Sequence, residues 1–141
     1  MLLQKNAFDK IRPVPVLPAG VATSLPMVVL INGGTSSGAE IVAGALQDAH
    51  RAKLVGEKTF GTGTVLEPFS LSDGSALLLA TQEWLTPSGR VIWHQGISPY
   101  VLVSIPSDVT PLIPEKARGM TAENLRASGD AQLLRALDLL L

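Results

Sequence analysis

The segment NGGTSSGAE, residues 32–40, has the residue types of a nucleophilic serine site. It follows a short apolar run, Met27 to Ile31, and precedes a helical pattern, so its hydroxyl side chains lie between a predicted strand and a predicted helix. At such a junction the first helical N–H groups are unpaired and the helix dipole is positive, which suits an oxyanion. Ser37 stands nearest the junction, where its Oγ could attack a carbonyl while its own N–H stabilises the tetrahedral intermediate. Gly34 and Gly38 let the backbone turn and are candidates for the oxyanion loop.

Two other interpretations of this segment remain open. Thr35, Ser36 and Ser37 are also the residue types that cap helices in proteins of any function. A strand, a glycine-rich turn and a helix N-terminus can further form a phosphate-binding nest. The nest interpretation is disfavoured because the chain has neither a GK followed by Ser or Thr nor a GxGxxG motif.

The elements around this segment predict an α/β fold, with a mixed sheet and crossover helices, a β-rich extension and a C-terminal helix. The run from Met27 to Ile31 suits a strand buried on both faces, and the pattern from Ala39 suits a helix of about three turns. Further predicted strands are Lys53–Val55, TVLEPFSL, DGSALLLATQEWLT, RVIWH and one within SPYVLVSIP, and the tail from Thr121 is predicted helical. Four prolines between residues 11 and 26 predict an extended lead-in without a central strand. Trp84, Phe60 and Phe69 are predicted core anchors.

Composition excludes several classes of function. The 141 residues carry 11 Lys plus Arg and 12 Asp plus Glu, a net charge of -1, which does not favour nucleic acid or anionic lipid as a partner. Zero Cys and only two His, His50 and His94, make a metal site or a thiol nucleophile unexpected, and we expect no cofactor. No apolar stretch approaches the roughly 20 residues of a membrane span.

Five motifs in order resemble the C-terminal processing (tail-specific) serine peptidases. These are NGGTSSGAE with its helix EIVAGALQD, then VGEKTFG, SDGSALLL, TPSGR and QGISP, from about Pro26 to Val103. The resemblance implies the distal half of a ClpP/crotonase-like peptidase core, with residues 1–25 as lead-in, residues 26–141 as a partial core domain, and the PDZ domain and upstream core segment absent. It also implies an exported, periplasmic or cell-envelope setting and substrates that are protein or peptide C-terminal segments.

The resemblance places the nucleophile on Ser37, in agreement with the position relative to the helix. The family's catalytic lysine falls on Thr62, and a glutamine that assists this lysine in many members falls on Leu66. Because a serine hydroxyl needs a nearby base, we expect this chain to hydrolyse peptides very weakly or not at all. Lys58, in the same loop, is the candidate substitute base. Glu40 is predicted to cap the helix, and Asp48 to be a structural partner at its other end.

Two functions therefore compete. One is a serine endopeptidase whose base comes from an unmatched residue or another chain. The other is a peptide-binding or scaffolding pseudoprotease that holds extended peptides by strand addition. In either case we expect a homo-oligomer or association with the rest of a larger chain, because a partial core exposes a sheet edge or an apolar face.

Overall fold

The computed structural model describes residues 2–17, 20 and 22–141, which form two sheets and four helices. The elements are β1 (Leu2–Asn6), β2 (Ile11–Val14), β3 (Val28–Ile31), α1 (Gly38–Asp48), β4 (Lys53–Gly56), β5 (Thr64–Ser70), β6 (Ala76–Leu85), β7 (Val101–Leu102), α2 (Pro114–Ala117), α3 (Ala122–Ala127) and α4 (Ala131–Asp138). The mixed α/β fold predicted from the sequence is confirmed. The strands lie in two separate sheets.

The smaller sheet is parallel, in the order β3-β4-β7, and it carries the predicted strand–turn–helix unit. Parallel pairing of β3 with β4 requires a crossover, which α1 provides. Its core contains five buried residues, Ile31, Ala43, Leu54, Ile92 and Ile97. The prediction that β3 is buried on both faces was wrong for Leu30, which is 42% exposed because its side chain lies on the face opposite Val29 and Ile31, which pack in the core.

The larger sheet is antiparallel, in the order β2-β1-β6-β5. Its β5–β6 hairpin turns where SDG predicted a turn, and Gly74 adopts φ 84° there. The hairpin is exposed and apolar on both faces: Leu66, Phe69 and three consecutive leucines, Leu77 to Leu79, are each at least 44% exposed. The sheet therefore extends well beyond the small buried core.

The N-terminal segment is part of this larger sheet. β1 lies between β2 and β6, so residues 2–6 and 11–14 of the predicted lead-in are paired strands. Pro13 lies in the edge strand β2, where a missing N–H is tolerated. Residues 1, 18, 19 and 21 of the predicted lead-in lie outside the described residues.

Three further local expectations were wrong. The segment RVIWH makes only a single bridge, from Val91 to Leu85, because the chain then turns back so that the His94 N–H can donate to the Gly61 carbonyl. Phe60 is 71% exposed, since its neighbours Thr59 and Gly61 take the inward positions of the loop. Phe69 lies on the exposed hairpin, whereas Trp84 packs against the core as predicted.

Candidate functional site

Ser37 occupies a strained backbone position between β3 and α1. It is the N-cap of α1, with φ 53° and ψ −123°, a region that residues other than glycine rarely adopt. Strain of this kind is concentrated at active sites, where the surrounding structure must enforce it. The residue is exposed at the surface. Its position at a strand-to-helix turn resembles the sharp turn that presents the nucleophilic serine in α/β-hydrolases.

A buried carboxylate fixes this turn. Glu40 is 0% exposed, and its Oε2 accepts the Ser37 N–H at 3.0 Å. The predicted capping role of Glu40 is therefore confirmed. The same side chain also reaches the loop after β4: Oε2 accepts the Thr62 N–H at 2.9 Å, and Oε1 accepts the Gly61 N–H at 2.7 Å and the Thr59 hydroxyl. All of its acceptor capacity is in use, because a carboxylate offers about four lone-pair sites.

The shared carboxylate oxygen brings Ser37 and Thr62 together. Because both N–H groups donate to Oε2 at hydrogen-bond length, their nitrogens lie within about 6 Å of each other. A further bond, from the Phe60 N–H to the Thr35 carbonyl at 2.9 Å, joins the same two loops. Thr62 thus adjoins the serine, although its hydroxyl oxygen is far too weakly basic to take a proton near neutral pH.

Glycines shape the loop that carries Thr62. Gly63 has φ 54°, and a Cβ there would lie 2.2 Å from the Trp93 backbone nitrogen. Gly61 has φ 90° and would bring a Cβ to 3.0 Å from the Gly96 nitrogen. The loop therefore packs directly against the backbone of residues 92–96, which holds Thr62 in place.

The oxyanion donors differ from the sequence expectation. The Ser37 N–H, expected to face a tetrahedral intermediate, donates to Glu40 instead. The Gly34 N–H donates to Asn32 Oδ1 at 2.9 Å. Gly38 is the first residue of α1, so its N–H has no acceptor within the helix. Of these three backbone groups, the geometry favours Gly38 as an oxyanion donor.

The remaining predicted site residues lie at the surface. Lys58 is exposed, so its ammonium group is hydrated. Leu66 is 55% exposed and follows an irregularity in the pairing of β5 with β6, between Val65 and Leu66. Such irregularities redirect side chains and are frequent beside active sites.

Asp48 has the structural role expected of it. Its carboxylate accepts the Ser88 N–H at 2.8 Å and forms an ion pair with Arg90. Burial raises the pKa of the Asp48 carboxyl, but hydrogen bonds from Thr86, Ser88 and Arg90 outweigh burial and lower it to about 2. Asp48 therefore ties the C-terminal end of α1 to the TPSGR turn. His50 and His94 have positive φ values, 51° and 55°, and both are exposed.

The contacts of Glu40 with the loop after β4 were not predicted from the sequence. The first helical turn of α1 was predicted to hold this residue, but no local pattern links positions 40 and 62. A signal was present in GEKTFGTG, whose threonine and glycines can place several donors around one acceptor.

Other site classes find no support in the described residues. Across residues 2–17, 20 and 22–141, no group of three His, Cys, Asp or Glu could hold a metal ion. Within the same described part of the chain, no helix has the length and apolarity to cross a membrane.

Comparison with known proteins gives a consistent result. The sequence profile of peptidase family S41 matches residues 4–103, so the resemblance also takes in β2 and most of β1. The carboxyl-terminal-processing protease of Synechocystis sp. is 43% identical over 119 residues, 84% of this chain and 25% of that protein. The carboxy-terminal processing protease CtpA of Bacillus subtilis is 46% identical over 81 residues, 57% of this chain and 17% of that protein.

Solved structures agree in fold. The photosystem II D1 C-terminal processing protease superposes with a TM-score of 0.58 at 40% identity, over 66% of this chain and 24% of that one. A lipoprotein from Streptococcus agalactiae has a TM-score of 0.62 at 22% identity, over 74% of this chain and 40% of that one, a likeness of fold alone. The chain spans a quarter or less of the length of the two curated relatives. Since the family profile covers well over half of its residues, the chain belongs to peptidase family S41, and its relatives are carboxyl-terminal-processing proteases.

Proposed function

We propose that this chain is the nucleophile-bearing part of a C-terminal processing serine endopeptidase core, with Ser37 as nucleophile and no general base. The observation that carries the proposal is the shared Glu40 oxygen, which holds Ser37 beside Thr62. A strained serine is thus presented next to the position where the resemblance expects the lysine. The Gly38 N–H, at the positive end of α1, is the donor suited to an oxyanion.

The missing base determines the activity. General-base catalysis contributes about 10² to 10⁴ in rate, and more where the base and the nucleophile act as a unit. Glu40 cannot act as the base, because its acceptor sites are taken by four donors. A lysine serves as a base when burial disfavours its ammonium form, and Lys58 is exposed. Peptide hydrolysis by this chain is therefore absent or very slow.

A non-catalytic role in peptide binding is the second candidate. It is favoured by the outer position of β5 in the larger sheet, whose free edge could pair with an extended peptide. Pro68 within β5 lacks an N–H and limits how many ladder bonds such a peptide could form. The ligands in both cases are protein or peptide C-terminal segments.

Restoring the base separates the two candidates. We expect the wild-type chain not to cleave an unfolded protein with an accessible C-terminus, and Thr62→Lys with Leu66→Gln to gain measurable cleavage. Leu66 is exposed and Thr62 is half-buried, so both substitutions are compatible with the fold. The matched control adds Ser37→Ala to the double variant, which should abolish the gain.

The outcomes have clear consequences. Cleavage by the wild type that is lost in Ser37→Ala would refute the proposal that the base is missing, and loss in Lys58→Ala would identify the substitute. If the double variant binds the substrate without cleaving it, peptide binding becomes the better supported function.

Association with other chains is part of the proposal. The hairpin leucines at positions 77–79 are 44–62% exposed, an apolar surface that isolated chains rarely leave uncovered. We expect a dimer or larger species by multi-angle light scattering, and conversion toward monomer when Leu78 is replaced by Lys. A wild-type chain that is monomeric at high concentration would contradict this expectation.

A further inference from the structure

The turn that follows β3 contains an asparagine directly before a glycine. Residues 32–35, with the sequence Asn-Gly-Gly-Thr, form a β-turn in which the Thr35 N–H donates to the Asn32 carbonyl at 2.9 Å. Asn32 is half-buried and Gly33 is exposed. The turn thus presents an amide side chain and the next backbone nitrogen together, at the surface of the protein.

The Gly33 nitrogen is available as a nucleophile. Within the described part of the chain, no carbonyl or side chain accepts its N–H. An amide nitrogen attacks a carbonyl only after it loses its proton, because resonance occupies its lone pair, and an exposed N–H can lose that proton to solvent. The surroundings of Gly33 are also open, since a Cβ there would meet no atom within 4 Å. Neither a hydrogen bond nor a neighbouring group therefore holds this nitrogen back.

The Asn32 side-chain carbonyl is held as an electrophile. Its Oδ1 accepts the Gly34 N–H at 2.9 Å and lies 3.5 Å from the Thr35 hydroxyl. When a nucleophile adds to the Asn32 Cγ, negative charge develops on Oδ1, and donors already aimed at that oxygen stabilise the charge. The Gly33 nitrogen belongs to the adjoining peptide unit, so its attack is intramolecular and gains the advantage of proximity.

We propose that Asn32 is a site of spontaneous deamidation, in which the Gly33 nitrogen attacks the Asn32 Cγ and closes a succinimide ring. The N–Cγ bond forms and the Cγ–Nδ2 bond breaks, and the proton lost by the Gly33 nitrogen leaves with the side-chain amide as ammonia. Water then opens the ring: addition at Cγ gives aspartate, and addition at the main-chain carbonyl carbon gives isoaspartate. The inference goes beyond the proposed function, because it requires neither the Ser37 hydroxyl nor Thr62.

The isoaspartyl product would change the approach to Ser37. Its main chain runs through Cβ and Cγ, and the carbonyl that accepts the Thr35 N–H becomes part of a free carboxylate. The β-turn therefore loses the geometry that closes it. The Thr35 carbonyl accepts the Phe60 N–H at 2.9 Å, so the change reaches the contact with the loop that carries Thr62. We expect the amides of Thr35 and Phe60 to lose protection from hydrogen exchange in the converted protein.

Peptide mass spectrometry of the full chain, incubated in its folded state at neutral pH, tests the proposal. The peptide that contains Asn32 should gain the mass difference between an amide and an acid, and it should separate into aspartyl and isoaspartyl forms. Digestion at acidic pH prevents conversion during the preparation. The pair Asp73–Gly74 can form isoaspartate through the same ring, but without a change in mass, so the mass gain distinguishes the two sites.

The other asparagines of the chain are internal controls. Asn6 Oδ1 also accepts the N–H two residues further on, from Phe8 at 3.0 Å, but the next residue is Ala7. Asn124 precedes a leucine within α3. We expect Asn32 to convert about tenfold or more faster than either, because glycine leaves the backbone free to close the ring. Equal rates at the three asparagines would overturn the proposal.

Gly33→Ala is the matched variant. The φ of Gly33 is not positive and the space around it is open, so the variant should fold with an unchanged thermal midpoint. Its Asn32 should convert about tenfold or more slowly than that of the wild type. An unchanged rate would overturn the role of the Gly33 nitrogen. Asn32 that stays intact in the folded chain, while a synthetic peptide of residues 27–40 deamidates, would show that the fold protects this site and would overturn the proposal as a whole.

Discussion

Glu40→Gln tests whether one carboxylate organises both loops of the site. The substitution keeps the size and shape of the side chain but replaces one acceptor oxygen with an N–H donor pair. In the wild type both oxygens accept two bonds each, from Ser37 and Thr62 on one side and from Thr59 and Gly61 on the other. Turned toward Ser37 and Thr62, the NH₂ group faces two N–H donors; turned the other way, it faces the Gly61 N–H and a Thr59 hydroxyl that can also accept.

The expected cost follows from this count. Hydrogen bonds to a charged group contribute about 1.5–3 kcal/mol each, and a buried donor left without an acceptor costs about 1–3 kcal/mol. At least one of these bonds is lost in a site where Glu40 is 0% exposed, so water cannot replace it. We expect the free energy of unfolding to fall by roughly 3–5 kcal/mol, out of the roughly 5–15 kcal/mol typical of a domain.

Urea denaturation followed by tryptophan fluorescence measures this loss. The matched control is Glu67→Gln, because Glu67 lies on the exposed hairpin, where such a change should alter stability by about 0.5 kcal/mol or less. Native-state hydrogen exchange adds local detail: the amides of Gly61 and Thr62 should lose protection in Glu40→Gln. The amides of the hairpin should exchange as they do in the wild type.

Two results would refute the reasoning. One is a Glu40→Gln variant as stable as the Glu67→Gln control. The other is faster exchange at Gly61 and Thr62 in both variants, which would mean that the carboxylate does not hold the loop.

Two further predictions concern the C-terminal end of α1 and the loop that carries Thr62. Asp48 has its pKa lowered to about 2 in the folded chain, so its contribution to stability is full above the unfolded pKa near 3.9 and disappears as pH falls through about 2. Asp48→Asn should therefore lower the free energy of unfolding by about 2 kcal/mol near pH 7 and by almost nothing near pH 2. Urea unfolding of both proteins at the two pH values measures this difference. A difference that does not change with pH would contradict the assignment. Gly63→Ala should destabilise the chain more than Gly74→Ala. Both positions have positive φ, but only a Cβ at Gly63 would lie against the Trp93 backbone, 2.2 Å from its nitrogen. Equal thermal midpoints for the two variants would contradict this prediction, because they would show that the loop shifts without loss of stability.

Local patterns predicted the strand–turn–helix unit correctly. The apolar run before Asn32 and the helical spacing after Ala39 depend on neighbouring residues, so β3 and α1 followed from the sequence. The turn at Asp73 and Gly74 was predicted for the same reason, because turn chemistry is local. The motifs around Ser37 also identified the family.

Long-range pairing explains what the sequence did not predict. β1 and β2 have no distinctive pattern, and they form strands because β6 offers β1 an edge 80 residues away. The exposure of Phe60 and Phe69 likewise depends on where the loop and hairpin lie in space. The engagement of the Ser37 N–H by Glu40, instead of a free oxyanion donor, required the geometry of the helix cap.

Labelling of Ser37 by a fluorophosphonate probe, located by peptide mass spectrometry, tests the central claim most directly. A nucleophilic serine without a base should react no faster in the wild type than in Ser37→Ala, whereas Thr62→Lys with Leu66→Gln should be labelled at Ser37. Ready labelling of the wild-type chain at Ser37 would contradict the account, because it would show that the serine is already activated.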